Sequence, residues 1–144
     1  MRMLARNMQK LKYALQDGTW LVPEFDADGL PIIDYVDDEG NTYPEPHEEI
    51  KWTEPTEFLA NIAQSGGEAE AMAYGLSVSD FDCVAIYSKN AYPIKIGSLI
   101  WHNSEVLYRD AGKTVLNDKS ADYKIVKVVE SLNYTKLIMK AIVK

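Results

Sequence analysis

Short runs in which apolar and polar residues alternate recur along this chain, and a period of two predicts strands rather than helices. Phe58, Ala60 and Ile62 alternate with Leu59, Asn61 and Ala63, so the strand they form meets different surroundings on its two faces. Asp82 to Tyr87 is a second strand candidate, in which Cys83 is most simply a small buried hydrophobe. Near the C-terminus Tyr123, Ile125, Lys127 and Val129 alternate with Lys124, Val126 and Val128, and Tyr134 to Val143 is rich in strand formers. Ser131-Leu132-Asn133 supplies a turn between these two runs, which predicts a terminal antiparallel hairpin.

The remaining pattern is more broken. Leu11, Tyr13 and Leu15 alternate with Lys10, Lys12 and Ala14, which favours a strand ending at Asp17-Gly18, although Leu4, Met8, Leu11 and Leu15 also fit helical spacing. Thr19 to Val22 could continue a hairpin across Asp17-Gly18, a pair suited to tight turns with positive backbone angles. Leu99 to His102 and Glu105 to Tyr108 are short strand candidates around Asn103-Ser104, followed by a polar connection from Arg109 to Ser120. Between the strands at Phe58 and Asp82, Ser65-Gly66-Gly67 breaks the pattern. Glu68 to Tyr74 then favours helix by propensity, but it has no wide apolar stripe and Gly75 stops it within about two turns. This segment, residues 64–75, has the mixed character of a surface that touches another molecule. The expected fold is mainly β, a small barrel or sandwich-like protomer with long loops and at most one or two short helices. At 144 residues it forms one domain.

Charge changes this picture in one place. The chain carries a net charge of -7, yet residues 24–57 hold twelve acids against the single base Lys51, and the remainder is weakly basic. Asp26-Ala27-Asp28-Gly29 and Asp37-Asp38-Glu39-Gly40-Asn41 are turn signals within this acidic stretch, and Tyr43-Pro44-Glu45-Pro46-His47 resists regular structure. The segment therefore reads as a protruding hairpin or loop excursion, of a length that more often serves interaction than packing. A single-sign surface repels nucleic acid, and the diffuse basic remainder does not resemble a DNA-reading face. With 47% hydrophobic residues and no apolar run of roughly 18 to 20 residues, the composition predicts a soluble, folded chain without a membrane span. Gln9, Lys10 and Lys12 interrupt any apolar stretch after the basic N-terminus, so no secretion signal is expected.

Candidate chemistry is sparse. Gly112-Lys113-Thr114 resembles the end of a phosphate-binding loop, but Leu107 stands where that motif needs a glycine. The two acidic turns lack the spaced carboxylates and later Glu of a calcium loop, and plain turns account for them. His47 lies among Glu45, Glu48 and Glu49 and could recruit a cation, though a solvated acidic loop is the simpler reading; His102 follows Trp101 at a strand end. Tyr87, Trp101, Tyr123 and Tyr134 could line a ligand pocket, but aromatics in strands are more often core or interface anchors. No catalytic residue, cofactor site or metal site is assigned, and an enzyme is not expected.

Ala60-Asn61-Ile62-Ala63 with Gly67-Glu68-Ala69 and Tyr74-Gly75, followed by Asp82 to Ile86 and the closing Tyr123 to Asn133, together resemble the head-closure, or stopper, proteins of tailed bacteriophages and prophages of Gram-positive bacteria. The similarity runs from Met3 through the opening strand at Arg6-Asn7 to Ile142, and is weakest over residues 24–57, where this chain is longer. The resemblance implies a β-barrel-like protomer, made in the host cytoplasm, that joins the virion neck as a ring, commonly of twelve copies. The ring would lie between the portal and its adaptor above and a tail-terminator or tail-completion protein below, closing the filled head and giving the tail its attachment site. DNA would pass through without sequence-specific binding. In this setting Gln64, Ser65, Gly66, Gly67, Glu68, Met72, Tyr74 and Gly75 are expected to touch neighbouring subunits or the adaptor. Asp34, Asp37, Asp38, Glu39, Glu48 and Glu49 would form an acidic loop facing the lumen or the tail. A tail-terminator ring protein is the nearest alternative, and a small-ligand-binding barrel a more distant one.

Overall fold

In strand β1, Gln9–Ala14, alternation buries Leu11 and Tyr13 and leaves Lys10 and Lys12 in solvent. The computed structural model describes residues 8–64, 75 and 81–143. One edge of β1 pairs with β6, Thr56–Gln64, setting Leu11 opposite Phe58. The other edge pairs with β8, Leu99–Trp101, setting Tyr13 opposite Ile100. From β6 the sheet continues through β7, Cys83–Ser88, then β10, Tyr134–Ala141, then β9, Tyr123–Glu130, and returns to β8. Six antiparallel strands thus close into a barrel, in which each strand has a neighbour on both sides over at least part of its length.

Side chains fill the barrel. Leu11, Phe58, Ala60, Ala85, Tyr87, Ile100, Ile125, Leu137 and Met139 form one buried cluster. Phe58 meets Tyr13 and Tyr92 edge-on, with centroids 5.5 and 5.4 Å apart, and Tyr87 meets Tyr92 at 5.1 Å. The edge-to-face geometry places positive ring edges on negative faces and adds to the area these rings bury. Cys83 is in the same cluster, and burial pushes its thiol up to about 11, so at neutral pH it stays a protonated, inert hydrophobe, as expected.

Two further clusters lie outside this core. Val84, Ile86 and Ile138 pack with Phe81, against partly buried Val126, Val129 and Tyr134. Strand β7 is therefore buried on both faces, which explains its unbroken apolar run Cys83 to Tyr87. Leu99 and Trp101, on the side of β8 away from Ile100, pack with Ala14, Leu116 and Ala121, against Trp52, Val106 and Tyr108. Here the indole Nε1 of Trp101 donates to Ser120 Oγ at 3.0 Å, within a 3-10 turn over Asp118–Ser120 capped by Asn117.

The terminal hairpin forms as expected, but its phase does not. Straight alternation would group Lys127 with Ile125. The register instead shifts between Ile138 and Met139, so Val126 is an extra residue in a bulge. Ile125 and Val128 consequently pack on the barrel cluster, Val126 and Val129 on the outer one, and Lys127 stands opposite outward-facing Ile138. The bulge keeps an ammonium group out of the apolar interior, where its desolvation would be costly.

Two other expectations are corrected. Asp17-Gly18 is not a hairpin turn between paired strands. Strand β2, Gln16–Val22, runs away from β1 and pairs with β5, His47–Trp52, and Gly18, at φ +78°, serves a bulge where the register jumps from Gln16 opposite Trp52 to Thr19 opposite Ile50. Because β6 and β8 already occupy both edges of β1, β2 has no edge of it to join. Glu105 to Tyr108 likewise forms no strand beyond one bridge from Tyr108 to Leu116; Val106 and Tyr108 are held by packing on the Trp101 cluster.

One carboxylate fastens the end of β8 to the start of β9. Asp122 Oδ2 accepts from the backbone N–H groups of His102, Asn103 and Ser104 at 2.8, 3.0 and 3.1 Å, and Oδ1 from the Ser104 hydroxyl at 2.6 Å. Burial opposes its ionisation, but these bonds outweigh burial and hold the carboxyl down to about 2. Its folded-state value lies below the unfolded one, so the stabilisation it gives is complete above about pH 4 and disappears as pH falls towards 2. Partial solvent screening limits it to about 1–2 kcal/mol. Acid titration of urea unfolding should show this decline in the wild type and a flatter profile in Asp122→Asn. In the barrel, Phe58→Ala should lower unfolding free energy by about 3–5 kcal/mol, read from the urea midpoint at unchanged slope.

Candidate interaction surface

The acidic stretch is built as an arm. It leaves the barrel beside β1, where the Thr53 N–H donates to Leu15 O and the Leu15 N–H to Thr53 Oγ1, both at 2.8 Å. Strands β2 and β5 then run as a separate two-stranded sheet. Beyond them the chain makes two turns of the same construction. Asp26 Oδ1 accepts from the N–H groups of Asp28 and Leu30 at 2.9 and 3.0 Å, and Asp37 Oδ1 from those of Glu39 and Asn41 at 2.9 and 2.8 Å. In each turn a glycine with positive φ follows three residues after the aspartate, Gly29 at +77° and Gly40 at +86°. In both turns the aspartate Oδ1 accepts from two backbone donors, and in the second Oδ2 also accepts from Asn41 Nδ2 at 3.2 Å.

The turns differ in what they meet. Gly29 lies against the loop after Tyr108: its carbonyl accepts from the Ala111 N–H at 2.8 Å, and a Cβ at Gly29 would sit 2.6 Å from that nitrogen. Arg109 in the same loop pairs with Glu49 of β5, which His47 also contacts, and the guanidinium lies 5.8 Å from the centre of the Phe25 ring. The Arg109 hydrogen bond, with its charge, outweighs burial and holds the Glu49 carboxyl below its ordinary value. Gly40, in contrast, has nothing within 4 Å of a built Cβ. Its turn ends a small hairpin of β3, Tyr35–Val36, and β4, Thr42–Tyr43, stiffened by stacking of Tyr35 on Tyr43 at 4.8 Å and 13°. The first turn anchors the arm and the second is its free tip.

Charge and apolar surface coincide on this arm. Among the described residues, Glu49 is the one acid of residues 24–57 that forms an ion pair. Asp34, Asp38, Glu39 and Glu48 are exposed, Glu48 accepting from Thr19 Oγ1 at 2.7 Å, and Asp37 is half-buried within its turn. Leu21, Leu30, Ile33, Tyr35, Val36 and Ile50 are exposed too, Leu21 to 70% and Tyr35 to 58%. Apolar side chains beside unneutralised carboxylates form a surface suited to a partner with both apolar and cationic groups.

Of the residues expected to make an assembly loop, Ser65, Gly66, Gly67, Glu68, Met72 and Tyr74 lie outside the described residues. Gln64 ends β6 opposite Cys83, and Gly75, exposed and at φ +73°, lies near the Lys127 ammonium, 3.3 Å from where its Cβ would stand. The sequence reading missed a cleft at the root of the arm, about 330 Å³ in volume, lined by Trp20, Lys51, Trp52, Tyr108, Lys113 and Leu116 among others. Lys51 lies over the Trp20 ring at 5.4 Å. The signal that could have found it was the strand-like run His47 to Trp52, whose pairing with Thr19 to Val22 brings two distant tryptophans together. Lys113 reaches this cleft because Asp110 shapes its loop, accepting from the N–H groups of Thr114 and Val115, both at 2.9 Å. Gly112-Lys113-Thr114 therefore belongs to an aspartate-centred turn.

No protein-family model, curated protein or solved structure matches the chain.

The two glycines give a matched test of how the arm is held. Gly29→Ala and Gly40→Ala each place a side chain at positive φ, costing about 1–2 kcal/mol. At Gly29 the clash with the Ala111 backbone adds about 1–3 kcal/mol more and should detach the arm. Limited proteolysis should show Gly29→Ala cleaved faster within residues 24–46 than Gly40→Ala, and urea unfolding should show the larger loss of stability in Gly29→Ala.

Proposed function

We propose that this protein is a structural component of the virion neck of a tailed bacteriophage, a ring subunit between portal-adaptor and tail that closes the head and offers the tail its attachment site. The observation that carries this reading is the arm, whose acids, Glu49 apart, have no ion-pair partner among the described residues and whose exposed apolar side chains lie among them. The apolar side chains gain by leaving water, and the hydrated carboxylates beside them would favour a partner that carries cationic groups. The barrel supports the reading in two ways. Its interior is occupied by side chains, which speaks against a ligand chamber, and its sheet is closed by neighbours on both sides of every strand, which leaves the projecting arm as the more accessible element for assembly. A lumen-facing arm would repel DNA phosphates and ease their passage, while a tail-facing one would select a basic partner.

Native mass spectrometry and electron microscopy of the protein, alone and with the portal-adaptor and tail proteins encoded beside it, test this directly. A ring seated on the adaptor is the expected result. A ring that co-purifies with headless tails would assign the protein to tail termination instead. Failure to bind any of these proteins, together with virions that retain DNA and join tails without it, would overturn a neck role.

A further inference from the structure

The arm and the cleft at its root are complementary, and one chain does not bring them together. Every hydrogen bond and ring contact described for residues 34–43 stays inside that segment. The tip therefore presents Tyr35 and Val36, exposed to 58% and 56%, with Asp34, Asp38 and Glu39 beside them. The cleft offers the opposite: apolar walls from Trp20, Trp52, Tyr108 and Leu116, with Lys51 and Lys113 against the single acid Glu54. Its volume lies at the lower end of the range for binding pockets, a size that suits side chains of a hairpin tip better than a whole folded element. The cleft lies where the arm leaves the barrel, since Trp52 is opposite Gln16 at the start of β2, whereas the tip hairpin lies beyond the far ends of β2 and β5.

We propose that the acidic tip of one copy, led by Tyr35 and Val36, docks in the Trp20–Trp52 cleft of the next copy, with Asp38 and Glu39 facing Lys51 and Lys113. The occupant of the cleft is thus a second copy of this chain. Tip and cleft are different surfaces, so each subunit gives one and receives one, and the contact is head-to-tail; repeated through a closing rotation it makes a ring. This rests on the ring reading above and names the junction that would hold such a ring. Apolar burial by the tip side chains would supply affinity, and the carboxylate–ammonium pairs would set register and a dependence on salt.

Two complementary variants test it. A tip variant combines Val36→Ser with Asp38→Asn and Glu39→Gln; all three positions are exposed and the Tyr35–Tyr43 stack stays in place, so the hairpin should be retained, as thermal melting would check. A cleft variant combines Lys51→Glu with Lys113→Asp, the second chosen because aspartate tolerates the positive φ of Lys113, +55°. Sedimentation velocity and native mass spectrometry, with and without the adaptor, should show wild-type rings and at least a 30-fold weaker association of either variant alone. An equimolar mixture should form discrete dimers and stop there, because it contains one intact tip facing one intact cleft per pair. Raising salt from 0.05 to 0.5 M should weaken wild-type association. If both variants assemble like wild type, the ring is held elsewhere and this junction is wrong while the neck reading survives. Absence of dimers in the mixture overturns the junction as well. A wild type that forms no ring, even on the adaptor, removes the junction and the ring together.

Discussion

Both edges of β1 are taken, and the rest of the molecule follows from that constraint. Pairing with β6 on one side and β8 on the other closes the barrel, so the chain leaving Ala14 cannot fold back on the strand it has just made. It must satisfy its backbone donors and acceptors elsewhere, and the partner it finds is β5, some thirty residues on. The two-stranded arm is thus a consequence of closure. The same closure turns the outer faces of β7 and β8 into secondary packing surfaces, one of which carries Trp101 and the root of the arm.

Holding an arm this acidic against the barrel requires local compensation, and the structure concentrates it at one place. Arg109 meets Glu49, the backbone of Ala111 meets Gly29, and Asp110 organises the loop that carries both contacts. Beyond this clamp the acids are left to solvent or to a partner. A repeated turn is used once as an anchor and once as a free tip, a difference that follows from whether a neighbouring backbone approaches the glycine. Rigid attachment at the base and free chemistry at the end are what a docking element needs, because a preorganised surface loses less conformational entropy on binding.

Much of the barrel was legible in period-two patterning. The strands at Leu11, Phe58, Tyr123 and Tyr134 form near where alternation places them, and those at Cys83 and Leu99 form from short apolar runs because both of their faces are buried. The acidic turns were legible too, since aspartate and glycine act through their own backbone. Asp17-Gly18 misled because positive φ serves a bulge as well as a turn, and only the competition for edges of β1 decides between them. Lys127 misled because one inserted residue reverses every later side chain, and nothing local marks Val126 as that residue.

The β class, the positions of most strands, the terminal hairpin, the two aspartate turns and the charge asymmetry are all written in local pattern, in residue types a few positions apart. Closure of six strands into a barrel, the pairing of β2 with β5 away from it, and the meeting of Trp20, Trp52, Tyr108 and Lys113 in one cleft emerge only in the folded chain. The physical reason is the same in each case. Pairing and packing between distant segments depend on which edges and faces remain unoccupied after the others have formed, and a residue's neighbours along the chain carry no record of that.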